Sequence, residues 1–240
     1  PIDSEHFSIW SLIDNFKSNV FEKIYITASG GPFRKYPLNK FKNITPNNAL
    51  KHPTWSMGKK ISIDSATMMN KVFEVIEAQK IFNMPIKKFK ILIHPRSYLH
   101  AIVKFNNGLI KMLIHDTNMC IPIFNSINDN EEIKTNKINY SILNNLSLTL
   151  ISKEKYPSIK ILENLDSRNS LYETAIVSVN EELVNLFINK KIRFTEISKN
   201  LEKILNTKEI LKFKHKSPKN FEEIIRFSKY VRLKTLEHCI

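Results

Sequence analysis

Lys59-Lys60-Ile61-Ser62-Ile63-Asp64-Ser65-Ala66-Thr67-Met68-Met69-Asn70-Lys71-Val72-Phe73-Glu74-Val75-Ile76-Glu77-Ala78 is the stretch on which the reading of the chain turns. The alternation of Ile61 and Ile63 with Ser62 and Asp64 predicts a short strand that runs straight into a helix. Met69, Val72, Phe73 and Ile76 then recur at helical spacing and define a core face, while Asn70, Lys71, Glu74 and Glu77 fall on the other side. For an arbitrary amphipathic helix, such a polar side is a solvated face with ion-pair support. Here Ser62, Asp64, Ser65 and Thr67 surround the expected helix start, where free N–H groups and the positive dipole end favour an anion. Asn70 and Lys71 can reach that anion. Glu74, a turn further on, suits a metal ligand or an acid–base group if a second acidic pair approaches it.

Such a pair stands at the start of the chain. Pro1-Ile2-Asp3-Ser4-Glu5-His6 puts Asp3 and Glu5 on one side of what reads as an extended segment, with Ser4 facing away. The plain alternative is a polar strand end. A helix is expected over 7–21, with Ile9, Trp10, Ile13 and Phe16 inward. Next comes a buried strand, Ile24-Tyr25-Ile26-Thr27-Ala28, ending in Ser29-Gly30-Gly31-Pro32. Two glycines before a proline allow a sharp turn that brings N–H groups, and the Ser29 hydroxyl, close to a ligand. His52-Pro53-Thr54-Trp55-Ser56-Met57-Gly58 sets an imidazole, an indole and a thioether beside a glycine, the pattern of a loop able to close over a ligand or of a structural tryptophan corner.

Further on, a strand is expected over 90–94, and Asn106-Asn107-Gly108 is the turn of a hairpin between 101–105 and 109–114. His94, His100 and His115 lack ligand-type spacing and read as structural. The stretch 125–145 is polar and aperiodic. Helices are expected over 172–189, from Thr195 through Leu205, and from Ser217-Pro218 onward. The fold class is therefore α+β: a mixed-sheet domain over 1–124, a linker over 125–150 and an all-helical domain over 151–240.

Composition narrows the function classes. The formal charge of +14 over 240 residues admits a non-catalytic basic protein that binds nucleic acid or an acidic partner. Its lysines are scattered rather than gathered into a stripe, and no nucleic-acid-reading motif is present; a phosphorylated small molecule also suits a basic protein. Cys120 and Cys239 are too few and too far apart for a disulfide framework, and no apolar run approaches the roughly 20 residues of a membrane span. The four glycines, at 30, 31, 58 and 108, leave no G-x-G-x-x-G fingerprint. The chain starts at Pro1 in what reads as the middle of a motif, so a fragment is expected, with any dinucleotide-binding domain outside it.

Taken together, Pro1-Ile2-Asp3-Ser4-Glu5-His6, Ser29-Gly30-Gly31-Pro32-Phe33-Arg34, the segment from His52 to Lys60, and Asp64-Ser65-Ala66-Thr67-Met68-Met69-Asn70-Lys71 resemble the 1-deoxy-D-xylulose 5-phosphate reductoisomerase family. The likeness continues through His94-Pro95-Arg96-Ser97 to Met119, and Val179-Asn180-Glu181 stands where that family has an Asn-Glu helix motif. The resemblance implies an NADPH-dependent and Mg²⁺- or Mn²⁺-dependent enzyme of non-mevalonate isoprenoid biosynthesis that rearranges and reduces a phosphorylated sugar. It also implies a homodimer in the bacterial cytoplasm or a plastid-type organelle, with no membrane or nucleic-acid partner. By the same resemblance Asp3, Glu5 and Glu74 are the metal carboxylates, and Ser29, Gly30, Ser65, Asn70 and Lys71 cradle the phosphate. Ser4, Asn70 and Lys71 touch substrate oxygens; Lys71, Glu74 and His52 are the residues at the chemistry. His52, Trp55 and Met57 form a closing flap, and Met57, Met119 and Ser97 border the nicotinamide.

Overall fold

The computed structural model describes residues 1–13, 20–51, 57–128, 131–166 and 168–239. Its helices in chain order are α1 (Ser4–Ile13), α2 (Pro46–Ala49), α3 (Lys59–Thr67), α4 (Met69–Ile81), α5 (Cys120–Ile127), α6 (Tyr140–Leu143), α7 (Leu171–Ile188), α8 (Phe194–Leu205), α9 (Lys208–Leu211) and α10 (Phe221–Cys239). The strands are β1 (Phe21–Ala28), β2 (Phe89–Ile93), β3 (Leu99–Phe105), β4 (Ile110–Ile114) and β5 (Thr149–Leu150). A mixed sheet and a helical C-terminal part make the fold α+β.

Two compact units share the chain. The first joins Pro1–Gly30 to Phe73–Ser152, and the second joins Gly31–Val72 to Lys153–Ile240. All strands belong to the first unit, in the order β4-β3-β1-β2-β5, with β1 parallel to β2 and antiparallel to β3. Ile24 and Ile26 of β1 are fully buried, and Phe21 stacks edge-on against Phe105 at 5.4 Å. Ile26, Thr27 and Ala28 are buried one after another, so both faces of β1 are covered there, as suits a strand in the middle of a sheet. The β3–β4 hairpin turns at Gly108, whose φ of +88° is the left-handed conformation that the Asn-Gly signal demands.

In the second unit, α7 presents Ile176, Val179, Leu183 and Phe187 to the core at helical spacing. Phe187 meets Phe194, the first residue of α8, at 5.6 Å, and Phe194 meets Phe33 at 5.2 Å. Phe33 follows directly on Gly31-Pro32, so the turn there is anchored by the C-terminal helices. Lys155 Nζ donates to the carbonyl oxygens of Arg34 and Tyr36 and fastens the next stretch of backbone.

The structure corrects several expectations. Residues 59–67 form helix α3, not a strand. The apparent alternation was coincidental: Ile61 is 39% exposed while Ser62 and Asp64 are both 1% exposed, their polar atoms satisfied inside the helical packing. Met68 ends α3 in the left-handed conformation, φ +65°, and α4 begins one residue later. Lys71 and Glu74 are buried rather than on a solvent face. Asp3 and Glu5 do not lie on an extended segment, because α1 starts at Ser4, and Trp10 points outward at 37% exposure. The expected helix over 7–21 gives way to β1 at Phe21, with residues 14–19 outside the described part.

Candidate metal centre

Asp3 organises the start of α1. Its Oδ1 accepts from the N–H groups of Glu5 and His6, both at 3.1 Å, and its own carbonyl accepts from Phe7 N–H at 2.8 Å. This is an N-cap, and it satisfies backbone donors that the first helical turn leaves open. Capping also fixes the side chain, so the Asp3 carboxylate and the Glu5 carboxylate of the first turn are held at one helix end. Ser4 Oγ donates to the Glu5 carboxylate, and Ser8 Oγ donates to Ser4 O at 2.6 Å.

Glu74 reaches the same place from α4. One carboxylate oxygen each from Asp3, Glu5 and Glu74 lies within 4.8 Å of the others. Two oxygens bound to a single hard divalent ion sit at most about 4–5 Å apart, given metal–oxygen bonds of roughly 2.0–2.6 Å. The three therefore fit one ion with little movement. An all-carboxylate donor set selects Mg²⁺, Mn²⁺ or Ca²⁺ over softer metals. Glu74 is only 4% exposed, and Asp3 and Glu5 are half-buried, so a cation here is partly withdrawn from water and the carboxylates repel one another less when it is bound.

His6 holds the two helices in register. Its ring, 3% exposed, donates from Nε2 to the backbone carbonyl of Glu74 at 2.9 Å, while Nδ1 lies 3.6 Å from Asp3 Oδ1 and 4.0 Å from Glu77 Oε2. One imidazole thus touches both ligand-bearing elements. Nothing in its own stretch of sequence marks that role, because the carbonyl it meets lies 68 residues away. Deeper in the same unit, His115 stacks on His100 with ring centroids 3.7 Å apart. Burial pushes the His115 imidazole below its usual value, against the pull of the Asp116 carbonyl and the Glu5 charge.

Within the second unit, Ser65 is half-buried in the last turn of α3, and Asn70 and Lys71 lie in the first turn of α4, Lys71 only 8% exposed. The helix start that offers N–H groups is that of α4, four residues later than Ser65; Ser62 and Asp64 are turned into packing and do not face it. Gly31, at φ +63°, passes so close to α3 that a Cβ there would lie 2.8 Å from Ser65 O. In the first unit, Ser29 and Gly30 are buried at the end of β1, Gly30 at φ +89°. Ser97, at φ +51°, is 8% exposed after β2, and Met119 is 36% exposed at the N-cap of α5. Met57 is half-buried, and His52 and Trp55 lie outside the described residues. Among the described residues no helix is long and apolar enough to cross a membrane.

Residues 1–82 match a family model described as the 1-deoxy-D-xylulose 5-phosphate reductoisomerase C-terminal domain, and residues 115–234 match one described as the DXP reductoisomerase C-terminal domain. A 1-deoxy-D-xylulose 5-phosphate reductoisomerase of Pelagibacter ubique is 63% identical over 98% of this chain and 61% of its own length. That of Persephonella marina is 38% identical over 94% of this chain and 60% of its own length. A solved DOX-P reductoisomerase in complex with NADPH, fosmidomycin and magnesium superposes with a TM-score of 0.91 at 29% identity, covering 100% of this chain and 62% of that one. The Zymomonas mobilis enzyme in complex with NADPH gives 0.85 at 31% identity over 100% of this chain and 61% of its own. The chain thus spans about three fifths of the length of the relatives it matches.

Proposed function

The chain belongs to the 1-deoxy-D-xylulose 5-phosphate reductoisomerase family, and from that premise we propose that it is the metal- and substrate-binding portion of an enzyme that converts 1-deoxy-D-xylulose 5-phosphate to 2-C-methyl-D-erythritol 4-phosphate with NADPH. The observation that carries this reading is the convergence of Asp3, Glu5 and Glu74. A bound Mg²⁺ or Mn²⁺ would supply polarisation of the substrate's carbonyl and hydroxyl oxygens. NADPH would supply the hydride, held chiefly by a part of the enzyme that corresponds to the relatives' unmatched two fifths, since the four glycines here form no phosphate-binding fingerprint.

The chain's own residues orient the substrate. Ser29, Gly30, Ser65, Asn70 and Lys71 hold its phosphate, using hydroxyls, turn N–H groups and an ammonium. Fixing the remote phosphate places the reacting carbons and spends binding energy on geometry. Lys71, its stem desolvated, sets its amino group beside a substrate oxygen on which negative charge develops, and Ser4 and Asn70 donate to neighbouring oxygens. His52, Trp55 and Met57 close over the substrate and exclude water. Ser97 and Met119 border the nicotinamide. The working protein is a cytoplasmic homodimer whose ligands are small molecules, with no nucleic-acid role for its +14 charge.

The test is a fusion of this chain to the N-terminal two fifths of the Pelagibacter ubique relative. NADPH absorbance is expected to fall only when both the sugar phosphate and Mg²⁺ or Mn²⁺ are present. NADPH consumption that ignores the metal, or no consumption at all, overturns the reading. Tight, steeply salt-dependent retention of single-stranded or duplex nucleic acid on a filter would favour the basic-protein alternative instead.

A further inference from the structure

We infer that Asn180, on α7 of the helical C-terminal part, is a positioning residue for the phosphate-binding segment, acting through the buried carboxylate of Asp64. Asn180 is fully buried, on the apolar face that α7 turns to the core, and its Nδ2 donates to Asp64 Oδ1 at 2.8 Å. Asp64 is 1% exposed, and its other oxygen pairs with Lys60 Nζ at 2.6 Å. Each carboxylate oxygen therefore has one strong donor. Lys60 is a helical neighbour four residues back, so its pair with Asp64 lies within α3. Asn180 is 116 residues away in sequence and ties α3 to the long helix α7.

The tie falls beside the residue that matters. Ser65 directly follows Asp64, and Ser158 Oγ, from the 3-10 helix Pro157–Asn164, donates to the carbonyl of Thr67. Residues 64 and 67 are both pinned by the C-terminal part, so Ser65 is held from either side, and Met68 then makes its left-handed exit into α4. Among the described residues Asn180 Oδ1 has no hydrogen-bond partner. A leucine at this place in the stripe would leave no orphan acceptor, so the amide is retained for its donor, and its donor goes to Asp64. Neither Asn180 nor Asp64 touches the ligand in this scheme. The inference rests on the proposal that Ser65 belongs to a phosphate site.

The experiment measures two affinities of the 240-residue chain: inorganic phosphate by calorimetry and Mn²⁺ by electron paramagnetic resonance. Asn180→Ala and the nearly isosteric Asn180→Leu are each expected to weaken phosphate binding on the order of tenfold, the loss of one hydrogen bond to a charged group. Mn²⁺ affinity is expected to stay within about twofold, a split that general loss of structure would not produce. Asp64→Ala, which cuts the same bond from its other end, is expected to match them, and the Asp64→Ala, Asn180→Ala double variant to be no weaker than either single one. Wild-type phosphate affinity in the position-180 variants, or a parallel loss of Mn²⁺, overturns the role of Asn180. Failure of the wild-type chain to bind phosphate at all instead removes the phosphate site itself, and this inference with it. If both position-180 variants fail to fold, Asp64→Ala decides.

Discussion

At the scale of single residues the centre depends on placement as much as on ligand identity. Glu74→Gln keeps the volume and removes one negative charge from the carboxylate set. It is expected to weaken Mn²⁺ binding by about a hundredfold, ~2.7 kcal/mol, while the thermal transition stays within a few degrees. A Mn²⁺ titration followed by spin resonance reads the first and circular dichroism the second. His6→Ala leaves all three carboxylates in place but removes the donor to the Glu74 carbonyl and opens a buried space. The expected cost is about 2 kcal/mol of stability by urea denaturation, with a loss of Mn²⁺ affinity on the order of tenfold. Unchanged affinity in that variant would mean that α1 and α4 hold their register without it. Asp3, Glu5 and Glu74 stand out in the sequence one by one, but spacing alone leaves a polar strand end as the plain alternative, and their grouping into one set follows from the family resemblance. His6 and Asn180 do not stand out, since a buried partner is defined by what lies across from it, and nothing local encodes that.

Elements show where a local pattern misleads. Ile61-Ser62-Ile63-Asp64 has the period of a strand, yet the polar residues of the pair are the buried ones. Hydrophobic alternation reports burial only when polar groups stay in water, and here Ser62 and Asp64 find donors and acceptors inside. The β3–β4 hairpin and the helix α7, in contrast, were legible to within two residues, because a turn dipeptide and an unbroken apolar stripe leave little room for alternatives. Gly31 belongs to this scale, as the point where a turn meets a helix. Gly31→Ala carries the strain of a left-handed φ and a clash with the Ser65 carbonyl. Stability is expected to fall by at least about 1–2 kcal/mol, read as a lower urea midpoint with unchanged slope. An alanine variant as stable as the parent would show that α3 can withdraw at no cost.

Over the whole molecule, buried imidazoles contribute to the response to acid. Burial pushes His94 below its ordinary 6.5, against the pull of the Ser147 carbonyl. The folded state then binds fewer protons than the unfolded one whenever the pH lies below about 6.5 and above the depressed value. Stability from this group is fully present above 6.5 and is lost as the pH falls through that window. Urea midpoints measured between pH 7.5 and 5.5 are expected to decline, and His94→Gln is expected to flatten the decline. A slope unaltered by His94→Gln assigns the acid sensitivity elsewhere. That the chain folds as two units, one uniting residues near its start with a stretch past residue 72, was not legible from composition or periodicity, because both measure neighbours in sequence.

The glycine at position 31 also has a genetic consequence. This chain is poor in glycine, with four in 240 residues, and rich in lysine, asparagine and isoleucine, whose codons are built mostly from A and T. Glycine codons begin with two guanines, so drift in base composition works steadily against them. Every coding replacement reachable by one base change adds a Cβ, and at position 31 that atom lands on the Ser65 carbonyl. A library of all single substitutions, selected for folding, is therefore expected to be depleted most strongly at this position, less at Gly108, where only the left-handed φ resists a side chain, and least at Gly58, which has open space and no such φ.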